Sequence, residues 1–262
     1  MTARTLVKTL VERTTPEPAH AAFLQARGIF SKFVYSGGEY FCPVCESEVR
    51  KFLPYGNPSR RHARCPICRC LERHRLDWLF FQKKTDLFDG TPKRMLHVAP
   101  ELSFKRRLQG IANLDYLTAD LRSKLADVKM DVTDIRFPDD SFSIIYCSHV
   151  LEHVVDDRKA IGEFFRVLAP GGWALLQVPI GAEKTFEDPT VTDPKERARL
   201  FGQDDHVRIC GMDYIDRIRA AGFQAECFDA AQVIDSQSER ARMGVQDGRL
   251  VFFCRKRASA GA

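Results

Sequence analysis

The amino-acid sequence lacks any long apolar run. Its first twenty residues interrupt a short apolar stretch with Lys8 and Glu12. Elsewhere apolar residues never continue for the roughly 18 positions that a membrane-spanning helix requires. From these absences we expect neither a spanning helix nor a secretory signal of ordinary form. They predict a cytoplasmic protein without a membrane partner.

The chain also has little excess of charge. Its 40 basic and 35 acidic side chains leave a net charge of +5, which does not by itself predict a polyanionic partner. The excess is concentrated between Arg50 and Arg75, where eight lysines and arginines accompany a single acid, Glu72. Two interpretations stay open for this basic segment: a surface that binds nucleic acid, or a solvated surface whose charges pair with acids elsewhere.

Four of the nine cysteines are arranged as two Cys-x-x-Cys pairs. The pairs read Cys42-Pro-Val-Cys45 and Cys65-Pro-Ile-Cys68, with 19 residues between them. Without a secretory signal, reduced thiols are expected rather than disulfides. Two thiolates of one tight turn can reach the same ion, and four complete a closed tetrahedral site. The spacing therefore predicts a structural Zn²⁺ ion in a zinc ribbon, with these four cysteines as ligands.

Three further side chains near the cysteine pairs are weaker candidate ligands. They are Cys70, His62 and His74, and we expect them to face solvent or to pack locally. The residues that follow, CLERHRLDWLFFQKK, place apolar side chains at helical spacing. This pattern predicts an amphipathic helix that docks the ribbon onto a larger domain.

Strand and helix patterns alternate from Arg94 to the carboxyl-terminal region. With 262 residues, of which 44% are hydrophobic, the chain has room for one α/β domain and a small accessory module. The alternation predicts a doubly wound, mostly parallel sheet.

Residues 130–179 carry the most informative pattern. They read MDVTDIRFPDDSFSIIYCSHVLEHVVDDRKAIGEFFRVLAPGGWALLQVP. This stretch closely resembles the centre of class I S-adenosylmethionine-dependent methyltransferases, in the subgroup with a "PFPDxSFDxVxxxHVLEHV … RVLxPGG" run. The resemblance implies a Rossmann-like, seven-stranded sheet in the order 3-2-1-4-5-7-6, with the cofactor at the carboxyl ends of the first strands. We accordingly predict an N-terminal helical segment (1–38), a zinc ribbon (39–70), a linking helix (71–92) and a methyltransferase domain (93–262).

The resemblance also implies which residues surround S-adenosylmethionine. Asp120 corresponds to the acid that accepts hydrogen bonds from the ribose hydroxyls, and Asp131 is placed to accept from the adenine amino group. For both aspartates a role in a strand-end turn or as an N-cap is the alternative. The full predicted set is Ala99, Glu101, Asp120, Leu121, Asp131, Val132, Ser148 and His149. Glu101 has two open interpretations, a contact to the cofactor or a cap or ion pair within the following helix.

One departure stands out: the glycine-rich "DxGxGxG" turn of the family is replaced by LHVAPELS, which has no glycine, and Pro100 removes an N–H donor.

Three histidines are candidate catalytic residues. His149 follows the fourth strand beside the expected cofactor, and His153 lies one helical turn further on. His206 lies in the polar segment 181–211, where Glu187-Asp188 and Asp204-Asp205 supply carboxylates; such segments often form lids or substrate sites. A carboxylate beside an imidazole raises its basicity and suits general-base catalysis. Structural packing, a solvated loop position and an acidic metal site in the segment are the alternatives.

The methyl acceptor is less constrained. The N/D-P-P-Y/F motif that methylates exocyclic amino groups of bases is absent, because the corresponding positions read Cys-Ser-His-Val (147–150). Our first hypothesis is O-methylation of a small molecule or glycan-type biosynthetic intermediate. The second is a nucleic-acid methyltransferase that grips RNA or DNA with its basic ribbon. The third is a non-catalytic zinc- and ligand-binding protein.

Overall fold

The computed structural model describes residues 31–56 and 58–258, so most of the predicted segment 1–38 lies outside the described residues. The N-terminal part of the described chain consists of two antiparallel strand pairs, β1 with β2 and β3 with β4. These strands are β1 (Ser36–Cys42), β2 (Ser47–Val49), β3 (Leu53–Tyr55) and β4 (Arg60–Arg64). The first cysteine pair begins at the end of β1, and the second follows β4 directly. Each pair is followed by a residue in the left-handed conformation, Glu46 (φ 52°) or Arg69 (φ 69°).

The predicted linking helix spans Glu72–Lys84. Its apolar side chains belong to one core cluster with residues of the cysteine module and of the main sheet, such as Phe52 and Tyr146. The helix is less amphipathic than the sequence predicted, because Arg75 and Asp77 are buried together with its apolar side chains. Burial of these polar groups is tolerated because both are hydrogen-bonded to other parts of the chain.

The remaining strands follow in chain order. They are β5 (Lys93–Val98), β6 (Leu114–Asp120), β7 (Val128–Lys129), β8 (Phe142–Ser148), β9 (Leu168–Gln177), β10 (Ile180–Ala182), β11 (Phe186–Glu187), β12 (Arg208–Gly211), β13 (Gln224–Asp229) and β14 (Leu250–Arg255). The central sheet has the order β13-β14-β9-β8-β5-β6-β7. Only β14 runs antiparallel to its neighbours among these strands. With β5 counted as the first strand, this is the order 3-2-1-4-5-7-6, so the predicted topology is confirmed.

Helices cover both faces of the sheet. They span Leu102–Leu108, Asp157–Val167, Tyr214–Ala220, Ala230–Val233 and Gln237–Arg242. The second of them begins where the Asp156 carboxylate accepts a hydrogen bond from the backbone N–H of Lys159 (2.9 Å). Its buried positions 160, 161, 164 and 167 recur at helical spacing, which directs one apolar stripe onto the sheet.

Residues 181–211 are more structured than the long loop that the sequence predicted. They contain the helix Pro194–Phe201, and β12 pairs with both β10 and β11 in a small separate sheet. The backbone N–H of Val207 also donates to the carbonyl of Glu152 (3.0 Å), which joins this small sheet to the end of β8. The polar composition concealed these elements because each is very short. Over the described residues, no helix combines the length and apolar character needed to cross a membrane.

Candidate functional site

The turn after β5 keeps an unusual backbone conformation although it lacks glycine. Ala99 has φ 52°, in the left-handed region that glycine normally occupies, and its N–H donates to the carbonyl of Ala119 (2.8 Å). For a residue with a Cβ this conformation costs about 1–2 kcal/mol. His149, directly after β8, has φ 56° and donates its N–H to Gln177 (2.9 Å). Two neighbouring strands therefore both end in left-handed residues at the same edge of the sheet.

The predicted cofactor residues meet at this edge. In the strand register, Val98 lies opposite Ala119 and opposite Cys147, which makes Ala99, Asp120 and Ser148 neighbours. Asp120 ends β6, and its Oδ1 accepts the backbone N–H groups of residues 122 (2.7 Å) and 123 (2.6 Å). Leu121 is exposed, whereas Val132 and Ser148 are buried. Ala99 adopts the left-handed conformation that glycine usually takes, and Asp120 places a carboxylate at the end of the neighbouring strand. This arrangement fits a ligand that carries a nucleoside.

Asp131 lies two residues beyond β7 rather than at its last position. Its carboxylate is exposed and accepts from the backbone N–H and the hydroxyl of Thr133, both at 2.8 Å. The backbone hydrogen bond from Thr133, together with the hydroxyl, lowers the pKa of Asp131. The group is therefore ionised at neutral pH and can accept a hydrogen bond from an adenine amino group.

Glu101 lies between two histidines. One carboxylate oxygen is 3.0 Å from Nε2 of His74, on the linking helix, and the other is 3.1 Å from Nε2 of His97, on β5. Burial opposes ionisation of Glu101, but the two imidazoles outweigh it and lower the pKa of the carboxylate. Both oxygens thus face protein groups. A direct contact of Glu101 to the cofactor stays a prediction.

A cavity of about 500 Å³ opens beside His149. It lies at the carboxyl ends of β8 and β9 and is closed by the linking helix and by residues 246–250. Four charged residues line its wall: Arg73, Asp77, Arg249, and Asp247, whose Oδ1 accepts from Nε of Arg240 (2.6 Å). The volume falls within the range of small-molecule sites in proteins.

Asp77 is the most unusual group in the cavity wall, and the sequence reasoning missed it. Its Oδ2 accepts from the Tyr146 hydroxyl and its Oδ1 from the Gln177 amide, both at 2.8 Å. Burial raises the pKa of Asp77 to about 7. A single acid within the apolar run LDWLFF was the available signal, because an acid at a core position needs a partner or a function.

Two arginines lie in the cavity wall together with the two aspartates. Nε of Arg73 is buried and has no hydrogen-bond partner among residues 31–56 and 58–258. Arg249 donates to Glu72 (3.2 Å), and burial lowers the pKa of its guanidinium. A buried donor without a partner costs about 1–3 kcal/mol, so a ligand that accepts from Arg73 would recover that free energy.

His149 forms a pair with a buried carboxylate. Its Nδ1 lies 3.1 Å from Oε1 of Glu152, whose side chain is 1% exposed. Burial lowers the pKa of His149, so the imidazole is neutral at neutral pH and its free nitrogen is available to take up a proton. Burial also opposes the charge of Glu152, but the hydrogen bond from His149 outweighs it and lowers the pKa of that carboxyl. Because Nδ1 is occupied by Glu152, Nε2 is the nitrogen that can accept a proton.

The other two candidate histidines lie together behind this pair. The rings of His153 and His206 are 4.6 Å apart and nearly perpendicular. His206 is buried rather than part of a solvated loop. Asp205 lies against His153, with Oδ1 3.3 Å from Nδ1. The expected partnership of Glu187 with an imidazole is wrong, because two buried arginines, 208 and 217, bind it and lower its pKa to about 2.

The paired cysteines converge on one point. The Sγ atoms of Cys42 and Cys68 are 3.7 Å apart, those of Cys45 and Cys65 are 3.8 Å apart, and all four lie within 4.8 Å of one another. Four sulfurs about 2.3 Å from a zinc ion would be separated by about 3.8 Å at tetrahedral angles, so the donor set fits that ion. Cys70 adds a fifth thiol 3.4 Å from Cys42 but lies outside the four-thiol group.

The basic segment does not form one continuous charged surface. Arg75 is fully buried, and Arg60 donates to Glu72 at 2.6 Å. Arg50, Lys51 and Arg61 are exposed. Part of the local charge is therefore structural, and part faces solvent.

The chain is similar to known proteins over part of its length. Residues 94–176 match a family model described as "Methyltransferase domain". A demethylmenaquinone methyltransferase from Clavibacter sepedonicus is 38% identical over 68 residues, which are 26% of this chain and 23% of that protein. The ubiquinone/menaquinone biosynthesis C-methyltransferase UbiE from Vibrio vulnificus is 45% identical over 49 residues, or 19% of each chain. The match thus spans less than a quarter of the length of either relative.

A putative methyltransferase from Bacillus halodurans has a related crystal structure, with 18% identity, a TM-score of 0.43 and coverage of 70% of this chain and 99% of that one. The strand order is that of a Rossmann-like, doubly wound sheet. Residues 94–176, about a third of the chain, are thus similar to the family described as "Methyltransferase domain".

Proposed function

We propose that this protein transfers a methyl group from S-adenosylmethionine to an oxygen atom of a small, negatively charged acceptor. The observation that carries the proposal is the cavity of about 500 Å³ beside His149, with Asp77, Asp247 and two arginines in its wall. A cavity of this size suits a small molecule, and guanidinium groups suit a carboxylate or phosphate on it. A glycan-type intermediate with an acidic group belongs to the same class.

The cofactor would occupy the edge of the sheet next to this cavity. Asp120 would accept the ribose hydroxyls and Asp131 the adenine amino group, with Ala99, Ser148 and His149 close to the methionine part. Leu121, Val132 and Glu101 complete the predicted surroundings. When bound, S-adenosylmethionine supplies an electrophilic methyl group. We expect Asp131→Ala to weaken binding of S-adenosylhomocysteine by about 1–3 kcal/mol, as for a lost hydrogen bond to a polar group.

His149 is the proton acceptor in this proposal, and Glu152 is its positioning residue. As the acceptor oxygen takes up the methyl group, its proton passes to Nε2 of His149. The charge that develops on the imidazole is stabilised by Glu152, 3.1 Å from Nδ1. His153 and His206 do not line the cavity wall. A direct catalytic role for these two histidines is therefore a weaker prediction than for His149.

The cysteine module would hold one structural Zn²⁺ ion on Cys42, Cys45, Cys65 and Cys68. Four thiolates leave no position for a substrate, so the ion would stabilise the module rather than react. Its stabilisation matters for the site because the linking helix, which follows the module directly, forms one wall of the cavity.

The experiment that identifies the acceptor uses S-adenosylmethionine labelled with ¹³C in its methyl group as the donor. The full chain is incubated with a metabolite fraction and, separately, with an RNA fraction of the source cells. Proton–carbon correlation spectra separate O-methyl from C-methyl products by chemical shift. We expect an O-methyl product in the metabolite fraction that is lost in His149→Gln and kept in His62→Gln, a histidine of the cysteine module that stacks on Tyr40.

Three results would contradict this proposal. A C-methyl product would place the acceptor with the class that the names of the matched relatives describe. Label in the RNA fraction would favour the nucleic-acid alternative, for which the exposed Arg50, Lys51 and Arg61 offer phosphate contacts. Failure to bind S-adenosylhomocysteine by calorimetry would favour the non-catalytic alternative.

A further inference from the structure

A second group of possible metal ligands lies behind His149, separate from the cysteines. It consists of Glu152, His153 and His206, whose nearest ligand atoms all lie within 4.8 Å of one another. Nε2 of His153 is 4.0 Å from Oε1 of Glu152. Two ligands of one first-row metal ion are at most about 4.4 Å apart, twice a bond of about 2.0–2.2 Å. Small side-chain rotations would bring the group to that range.

The hydrogen bonds of both histidines select the same ring nitrogen for binding. Nδ1 of His206 lies 3.2 Å from the carbonyl of Phe201, and Nδ1 of His153 lies 3.3 Å from the carbonyl of Asp205. A carbonyl can only accept, so each imidazole carries its proton on Nδ1 when neutral. Nε2 of each ring then carries the free lone pair that can bind a metal ion. This is the arrangement in which protein histidines bind metals, with a backbone carbonyl as the partner of the other nitrogen.

The carboxylate of the group has an unused oxygen. Glu152 is 1% exposed, and its Oε2 has no hydrogen-bond partner within the part of the chain that the structure describes. The nearby guanidinium of Arg208 does not satisfy it, because that group donates to the carbonyls of Leu151, Val154 and Val155 and to Glu187. A buried carboxylate oxygen without a donor, in a residue grouped with two imidazoles, would be stabilised by a cation.

The backbone holds the group together across a large gap in sequence. Glu152 and His153 belong to the 3-10 turn Leu151–His153 after β8, whereas His206 precedes β12. The hydrogen bond between the backbones of Val207 and Glu152 joins the two segments at this point. The group is therefore part of the folded domain rather than a chance meeting of mobile side chains.

We propose that Glu152, His153 and His206 form a binding site for a divalent first-row transition-metal cation such as Mn²⁺ or Zn²⁺. Imidazole nitrogen favours these ions over Mg²⁺ and Ca²⁺, which prefer oxygen ligands. Three protein ligands leave positions for water or for an acceptor oxygen. Glu152 also holds His149, which lines the cavity, so a cation here would lie at the inner edge of the acceptor site.

The test uses Mn²⁺, because a site of four soft thiolates is poorly suited to this hard ion. The full chain, carrying one equivalent of zinc for its four thiolates, is titrated with MnCl₂ in the absence of any methyl donor or acceptor, and free Mn²⁺ is followed by electron paramagnetic resonance. We expect one equivalent to bind, and binding at least about tenfold weaker in His206→Gln and in His153→Gln. His62→Gln is the matched control and should bind as the wild type does.

A second measurement does not depend on any variant being folded. Pulsed electron paramagnetic resonance of wild-type protein with one equivalent of Mn²⁺ should show coupling to directly bound imidazole nitrogen. Absence of tight binding by the wild type, absence of that coupling, or unchanged affinity in both histidine variants would each overturn the proposal. Because no methyl donor is present, these outcomes are independent of whether the protein is a methyltransferase.

Discussion

Replacement of Arg75 should destabilise the protein more than replacement of any exposed arginine. Arg75 is fully buried on the linking helix, and its guanidinium donates to carbonyls of two distant segments. In the cysteine module it reaches Ala63 (3.0 Å) and His62 (3.2 Å), and near the carboxyl end it reaches Met243 and Gly244 (3.0 Å). It therefore joins three parts of the chain that are far apart in sequence.

The expected magnitude follows from what Arg75→Met leaves behind. Methionine keeps the length of the side chain and its helix propensity, but it leaves several buried carbonyls without their donor and removes the cation from the Phe52 ring, 4.0 Å away. Loss of one side of such a buried charged network typically costs about 3–5 kcal/mol. For a protein of this size, that corresponds to a fall in Tm of roughly 6–20 °C.

The assay is urea unfolding of zinc-loaded protein, followed by circular dichroism and checked by thermal unfolding. Arg75→Lys should lie between the wild type and Arg75→Met, because lysine keeps the charge but not the planar fork of donors. Arg136→Met is the control: its side chain is 89% exposed and pairs only with Asp134 in the described structure. A loss of stability in Arg75→Met no larger than in Arg136→Met would refute this account of how the module is attached.

Three further predictions concern the cofactor, the zinc ion and Asp77. Asp120→Ala should weaken binding of S-adenosylhomocysteine in calorimetry by about 1–3 kcal/mol, whereas Asp216→Ala, on an exposed part of the helix Tyr214–Ala220, should not change it. The double variant Cys42→Ser/Cys65→Ser should lose its zinc in elemental analysis and unfold at a lower temperature; a fully loaded double variant would show that other groups bind the ion. Burial raises the pKa of Asp77 to about 7, so the folded protein retains a proton that the unfolded chain releases near pH 4. Stability should therefore fall as pH rises through this interval, and Asp77→Asn should show a smaller difference in Tm between about pH 5 and about pH 8; an unchanged pH dependence would show that Asp77 is not the group responsible.

Local patterns were sufficient for the fold because they report on local physics. The alternation of strands and helices after residue 93 required a doubly wound sheet, and the resemblance in residues 130–179 supplied its order, which the structure confirms. The prediction that the four thiols of the two Cys-x-x-Cys pairs come together is confirmed. It could be made from the sequence because the geometry of each tight turn is set by the residues of that pair. Segment 181–211 was predicted less well, because strands of two to four residues leave almost no periodic signal.

The sequence by itself determined the class of domain, the four-thiol group and the strand-end carboxylate Asp120. Each depends on residues that are close in sequence or on the end of a recognisable strand. Only the tertiary structure decided the surroundings of the acceptor. It placed Asp77 in a cavity wall, gave His149 its buried partner Glu152, and moved His206 from an expected loop to the side of His153. These relations join positions up to about a hundred residues apart, and burial, which sets their charge and basicity, is a property of packing that no local pattern records.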